Sequence, residues 1–400
     1  MTKYVLKIGV DRIMRSGQLV ALLAVLIEAW IMLDYSWGRF GNLPGDSDAL
    51  SVVAVVAVLL IFSELVRVGR STSIRWLMWL GFIARFAALG WAGTGLLALL
   101  ALWAVSDSVG EPLAGSFFWA AGGLALMTSA YAFTIGRNRI VVRKFRIARS
   151  HPAGDAGRQY EFCITVLSDL HLGEFVTAEH IRRAVQISNS ESPDIVLLLG
   201  DYVDSDGSLA DRLVAELTLL EAKLGVFAVL GNHDIRSAGS QMIIDTLERD
   251  PNLALLRDAS AFVEVGAGGE SKTVQIIGIE SPSDWRSSKL IIFGGEVLDA
   301  ELPGSRADFR IVASHHPEVI FPAAKTSVDL VVAGHTHGGQ LAVPFTGRFL
   351  NVGRLVAKYF LGLYELGTTT LVVSAGIGVG VIPARIGVPP EVTLIEISLD

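Results

Sequence analysis

Five short motifs hold the side chains with the clearest chemical potential: Asp169 and His171 in SDLHLG, Asp201 in GDYVD, Asn232, His233 and Asp234 in GNHD, His315 in SHHP, and His335 with His337 in GHTHGGQ. Carboxylate, imidazole and amide oxygen together form the ligand set of borderline divalent cations such as Mn, Fe and Zn. No thiolate competes for such ions. The single cysteine, Cys163, lies in the apolar run EFCITVL, and one cysteine excludes both an intramolecular disulfide and a cysteine-based zinc cluster. Each motif alone has an ordinary explanation as a turn, a cap or a surface histidine. Together they suggest one centre. Alternate residues of an extended segment point the same way, so Asp169 with His171, and His335 with His337, are expected to converge, the last two each reaching a different ion of a pair. Gly334, Gly338 and Gly339 would let the backbone come close and turn where a side chain would obstruct it.

The elements that must position these residues follow from the hydrophobic pattern. FCITVLSDLHLG, DIVLLLGDYVD and GVFAVLGNHD each read as a strand that ends in a polar loop, and TAEHIRRAVQIS and SLADRLVAELTLLEAKLG read as the helices between them. Later strands are expected in ALLRDASAFVEV, TVQIIGIE, DFRIVASHHP, VDLVVAGHTHGGQ, TLVVSAG and EVTLIEIS. The early alternation predicts a parallel sheet and the later density of strands a second sheet packed on it, flanked by helices in an αββα sandwich over residues 159–400. Every candidate residue then follows a strand end, where open α/β sheets place their sites.

The ordered series D-x-H, G-D, G-N-H-D, H, G-H-x-H resembles the calcineurin-like metallophosphoesterase superfamily from about residue 160 onward. GHTHGGQ and the ending GIGVGVIPARIGVPPEVTLIEI are similar to its bacterial membrane-associated subgroup. Glu280, Ser281 and Ala375 depart from that subgroup's usual residues, and none is an expected ligand. The resemblance implies a metal-dependent phosphoesterase with two divalent ions per chain. Asp169, His171 and His337 would hold the first ion, Asn232, His315 and His335 the second, and Asp201 would bridge them. A hydroxide between ions about 4 Å apart would be the nucleophile. His233 would face the leaving group, where it would donate a proton or stabilise charge, and Asp234 would orient its ring.

The composition before residue 136 is different. The chain is 51% hydrophobic and only 18% charged, and most of that bias lies in four apolar stretches, residues 18–37, 50–66, a span within 76–105, and 113–133. Each is long enough to cross a bilayer. Basic residues cluster at Lys3 to Arg15, Arg67 to Arg75 and Arg137 to Arg149, whereas the other two connections are acidic. These patterns predict a four-helix transmembrane region over 1–136, a basic juxtamembrane linker over 137–158, and a multi-pass protein of the inner membrane whose catalytic domain faces the cytoplasm. Within the spans, Glu28 and Arg85 could pair as a structural ion pair.

A phosphorylated, lipid-linked substrate fits that expectation, with membrane lipids as partners of the basic linker at about 1 kcal/mol per cation. A net charge of −7 gives no support to nucleic-acid binding. After the metal loop, LAVPFTGRFLNVGRLVAKYFLGLY mixes Phe345, Phe349, Leu350, Leu355, Tyr359, Phe360 and Leu361 with Arg348, Arg354 and Lys358. It reads either as an apolar lip with basic edges or as a helix packed on the sheet. The alternative function is a membrane signalling or scaffold protein whose domain binds a ligand without turnover.

Overall fold

The computed structural model describes residues 123–149, 160–204, 206–237, 239–266, 271–282, 287–380 and 382–399, with Ile83 and Ala120. The chain divides into two compact units, Met1–Phe133 and Thr134–Asp400.

In the second unit, twelve strands form two six-stranded sheets. The first has the order β1 (Val141–Arg149), β12 (Glu391–Leu399), β2 (Tyr160–Leu167), β3 (Ile195–Leu198), β4 (Gly225–Ala228) and β5 (Leu253–Leu255). From β2 to β5 it is parallel, while β12 runs antiparallel to β2 and parallel to β1. The second sheet has the order β10 (Gly362–Leu366), β11 (Thr369–Val373), β9 (Leu330–Ala333), β8 (Phe309–Ser314), β7 (Lys272–Ile279) and β6 (Ala259–Val265). Its four central strands are parallel, and β6 and β10 are antiparallel edges.

Strand periodicity explains how the layers join. Ile164 and Val166 of β2 and Ile195 and Leu197 of β3 pack in one core with Ile276, Ile311, Leu330 and Val372 of the facing sheet. Residues one step along, such as Val196 and Leu198, pack instead under helices α1 (Ala178–Ser190), α2 (Ala210–Leu217) and α4 (Ser240–Arg249). Both faces are covered, so β3 is the uninterrupted apolar run IVLL. The short helix α3 (Asn232–Arg236) follows β4. On the far side, Ile277, Val312 and Val331 pack under α5 (Ser287–Glu301) and α6 (Ile320–Ala323). The expected αββα sandwich is present.

Two expectations are corrected. Among the described residues no helix is long and apolar enough to cross a membrane. The four apolar stretches, and with them Glu28 and Arg85, lie outside the described residues except at Ile83, Ala120 and 123–133. The structure therefore does not support the four-span bundle, nor the multi-pass inner-membrane placement that depended on it.

The second correction concerns the basic segment. Residues 141–149 form the edge strand β1, paired along its whole length with β12. Its cations are engaged within the domain: Arg143 with Glu391 at 2.5 Å, Lys144 with Glu191 at 2.7 Å and Arg146 with Glu396 at 2.7 Å. Arg149 donates to the carbonyl of Asp329 at 2.9 Å. Four of the cations expected at lipid headgroups are thus engaged along a sheet edge.

Candidate functional site

The loops after β2, β3, β4, β8 and β9 carry all the predicted ligands, three loops from the first sheet and two from the second. They meet in one place. Asp169, His171 and His337 bring donor atoms within 4.8 Å of one another, and so do Asp201, His315 and His335. His171, Asp201 and His233 form a third such group that overlaps the first two. Asp201 joins the clusters: its Oδ2 lies 3.5 Å from His171 Nε2 and 3.2 Å from His315 Nε2.

The backbone reaches this arrangement through conformations that the alternation rule does not anticipate. Asp169 (φ 53°), His171 (φ 47°), Asp201 (φ 55°), His335 (φ 70°) and His337 (φ 51°) all occupy the left-handed region. These segments are therefore not extended. His335 and His337 do diverge to different clusters, but by tight turning, since His337–Gly339 is a 3₁₀ turn with Gly338 at φ 60°. Left-handed non-glycine residues cost about 1–3 kcal/mol each and collect where function requires the geometry. Gly334 serves a different purpose: a Cβ there would collide with Ser168 Oγ and lie 2.6 Å from Asp169 Oδ2, so only glycine lets the His335 loop pass these two side chains. His335 N then donates to both Asp169 oxygens at 3.1 Å.

Backbone carbonyls orient two of the rings. His315 Nδ1 donates to Leu199 O at 2.7 Å, which turns Nε2 toward Asp201. His233 Nδ1 donates to Asp204 O at 2.7 Å. The carbonyl of Asp204 thus does what was expected of Asp234. The Asp234 carboxylate instead accepts backbone N–H groups of Asp201 (2.7 Å), Tyr202 (2.8 Å) and Gly231 (2.9 Å), fixing the loop that carries Asp201. Burial, then the charge of Asp201, pushes Asp234 up to about 7. His316 lies outside the clusters, with Nε2 at 2.8 Å from Ser281 Oγ and its ring 4.2 Å from that of His335.

Electrostatics suit cation binding. Burial pushes His171 and His335 down to about 3 and holds His337 well below its usual value, so these imidazoles stay neutral and no proton competes for their lone pairs. His315 behaves differently: burial works against its charge, but Asp201 carries it up to about 9. A divalent ion at His315 Nε2 would have to displace the proton there, leaving the other on Nδ1 against Leu199 O. The donor set also fits a metal by what it leaves unmet. His171 Nδ1 and Nε2, Asn232 Oδ1 and His337 Nδ1 are buried without a hydrogen-bond partner. Such atoms are costly to bury unless something coordinates them.

One participant went unread in the sequence. Arg385, fully buried, donates to the carbonyls of Ala375 at 2.7 Å, Gly376 at 3.3 Å, Gly378 at 2.7 Å and His337 at 3.4 Å. It ties the loop after β11 to the metal loop. Its place in the ending GIGVGVIPARIGVPPEVTLIEI was visible, but the carbonyls it would collect were not.

Residues 163–339 match the family model for the calcineurin-like phosphoesterase. Over 239 residues the chain is 32% identical to an uncharacterized metallophosphoesterase of Aquifex aeolicus, covering 60% of this chain and 85% of that protein. The chain belongs to the calcineurin-like phosphoesterase family. This phosphoesterase is also 30% identical over 242 residues to the phosphodiesterase YaeI of Escherichia coli, across 59% of this chain and 82% of that one. A Bos taurus protein named as a transmembrane protein with metallophosphoesterase domain is 30% identical over 236 residues, across 58% of this chain and 51% of its own length. The phosphoesterase is accordingly a metal-dependent hydrolase of phosphoesters, and its histidine and aspartate clusters suit divalent ions.

Proposed function

We propose that the phosphoesterase is a dinuclear enzyme in which Asp169, His171 and His337 hold one divalent ion, Asn232, His315 and His335 hold another, and Asp201 contributes to both. The observation that supports this reading is the position of Asp201 Oδ2 between His171 and His315, with unpartnered donors on either side. Divalent ions bound there would lower the pKa of water enough to make it a nucleophile at neutral pH and would polarise the phosphoryl oxygens.

The chain does the rest. Buried, neutral imidazoles present lone pairs, and the carbonyl of Leu199 keeps the His315 proton on the nitrogen away from the site. His233 is part-exposed, and its Nδ1 is committed to Asp204 O, so in the imidazolium form Nε2 is the atom that would give its proton to the departing oxygen, leaving the neutral ring with its N–H on Nδ1. Its backbone N–H donates to Asp201 Oδ1 at 2.8 Å, tying the acid to the carboxylate between the clusters. We read the scissile group as a phosphoester or pyrophosphate of a lipid-linked substrate, on the apolar and cationic surface that continues from the metal loop.

The test separates holding from turning over. With Mn(II) and an aryl phosphodiester, His233→Ala should keep its metal content while kcat falls by about 10²–10⁴. Asn232→Ala should lose activity and one of its two ions. Full activity in His233→Ala would remove that residue from the mechanism.

A further inference from the structure

The segment that follows the metal loop has an unusual surface. Residues 342–351 form a small hairpin, with Ala342 bridged to Asn351 and Val343 N donating to Leu350 O at 2.9 Å. The chain then makes helix α7 (Gly353–Val356). Leu355 and Val356 are 85% and 75% exposed, Phe349 is 70% exposed, and Phe345, at φ 68° near the hairpin tip, is exposed in full. The alternative of a helix packed on the sheet is thereby excluded, since α7 buries only Gly353. Tyr359, Phe360 and Leu361 are buried and anchor the segment from behind.

This surface is fixed to the site. Asn351 Nδ2 donates to Gly338 O at 3.0 Å, Val352 N to Leu341 O at 3.0 Å, and Thr336 Oγ1 to Phe360 O at 2.7 Å. The same turn that aims His335 and His337 therefore carries the apolar hairpin. Its charge is one-sided. Residues 341–364 contain Arg348, Arg354 and Lys358 and no Asp or Glu. Arg354 lies 5.6 Å over the Phe349 ring and Arg348 4.5 Å over that of Tyr364. Among the described residues none of the three cations is paired with a carboxylate.

We infer that residues 343–356 are the acyl-binding lip of the site, which takes the hydrocarbon chain of the lipid-linked phosphoester while Arg348, Arg354 and Lys358 face its remaining negative charge. The inference rests on the phosphoesterase reading and names the part of the substrate that the metal cluster does not touch. Contiguous exposed apolar side chains on a folded domain mark a binding surface. A water-soluble ester would leave this one wet, and a basic protein partner would meet repulsion. An anionic amphiphile matches both properties.

The test uses the full chain loaded with Mn(II) and a dodecyl phosphate that carries a photoreactive diazirine at the end of its alkyl chain. Irradiation should label peptides within residues 343–356. In Phe349→Asp and Leu355→Asp that labelling should fall about tenfold, as expected for losing one buried side chain's contribution. Neither residue touches the metal cluster, so hydrolysis of a water-soluble aryl diester should stay within about twofold. Labelling confined to other segments, or unchanged in both variants, would overturn the lip. So would variants that shift the oligomeric mass in light scattering without altering labelling, which would assign the surface to a second copy. If the aryl diester is not hydrolysed at all, the dinuclear reading fails, and the labelling pattern still decides the lip.

Discussion

His335 holds a left-handed backbone at φ 70° and packs its ring against His315 and His316, at 5.0 and 4.2 Å between centroids. Stability alone would not select an imidazole there. Burial disfavours its charged form, and the backbone conformation suits glycine. In metal-free buffer His335→Gly is therefore expected to unfold at or above the wild-type temperature in scanning calorimetry. Metal added at a hundredfold excess over Kd stabilises by about 2.7 kcal/mol, which raises the wild-type midpoint by roughly 5–10 °C. Most of that rise should vanish in the variant. A metal-free variant that melts several degrees lower would make the ring a packing element instead. At this scale the sequence revealed residue types well: Asp169, His171, Asp201, His315, His335 and His337 all lie in the clusters. It concealed conformation and secondary partners, because the left-handed turns and the three N–H groups held by Asp234 depend on loops far apart in the chain.

Helix α1 shows what an element contributes to the site from outside it. Thr177 caps the helix, and one turn in, His180 Nε2 donates to Ile377 O at 3.1 Å while Nδ1 accepts from Arg183 at 3.1 Å. Gly378 N, next to Ile377, donates to Asp169 O at 2.7 Å, so the contact braces the loop over a ligand. Burial lowers His180 to about 4 from 6.5. The unfolded chain then takes up the proton first as pH falls, so this stability is complete above about pH 6.5 and is lost progressively toward pH 4. The upper bound is about 3 kcal/mol. Denaturant midpoints measured from pH 7 to 4 should fall less steeply in His180→Gln than in wild type, and parallel curves would refute the assignment.

The edge strand β1 offers a second test at this scale. Glu391 is buried and accepts from Arg143, from Ala375 N at 3.1 Å and from Thr393 Oγ1 at 3.0 Å. Arg143→Ala should cost about 1–2 kcal/mol in urea unfolding, a value reduced because Arg143 is partly exposed. Most of that cost should be absent when Glu391→Gln is already in place. β1 was read as a linker because its basic residues resemble a tail, and its partner strand lies some 250 residues away. The run ALLRDASAFVEV was likewise read as one strand, yet it divides into β5 and β6 in different sheets at the turn of Asp258, φ 53°. Local pattern gives strand propensity but cannot show which sheet receives the strand.

Across the whole second unit, the site is a property of neither sheet alone. The first supplies Asp169, His171, Asp201 and Asn232, and the second supplies His315, His335 and His337. Strand ends rich in Asp, His and Asn made this convergence legible, because open sheets gather their sites there. Sheet order was not legible, and over residues 1–136 the apolar stretches and the charge of their connections suggested a membrane bundle that the described residues do not support.

The proposed pair of ions around Asp201 is tested most directly by the manganese content of the purified chain after saturation and desalting, measured by mass spectrometry for wild type, Asn232→Ala and His337→Ala. Two ions are expected per wild-type chain and one in each variant. A single ion in wild type, or two ions retained in both variants, would contradict it.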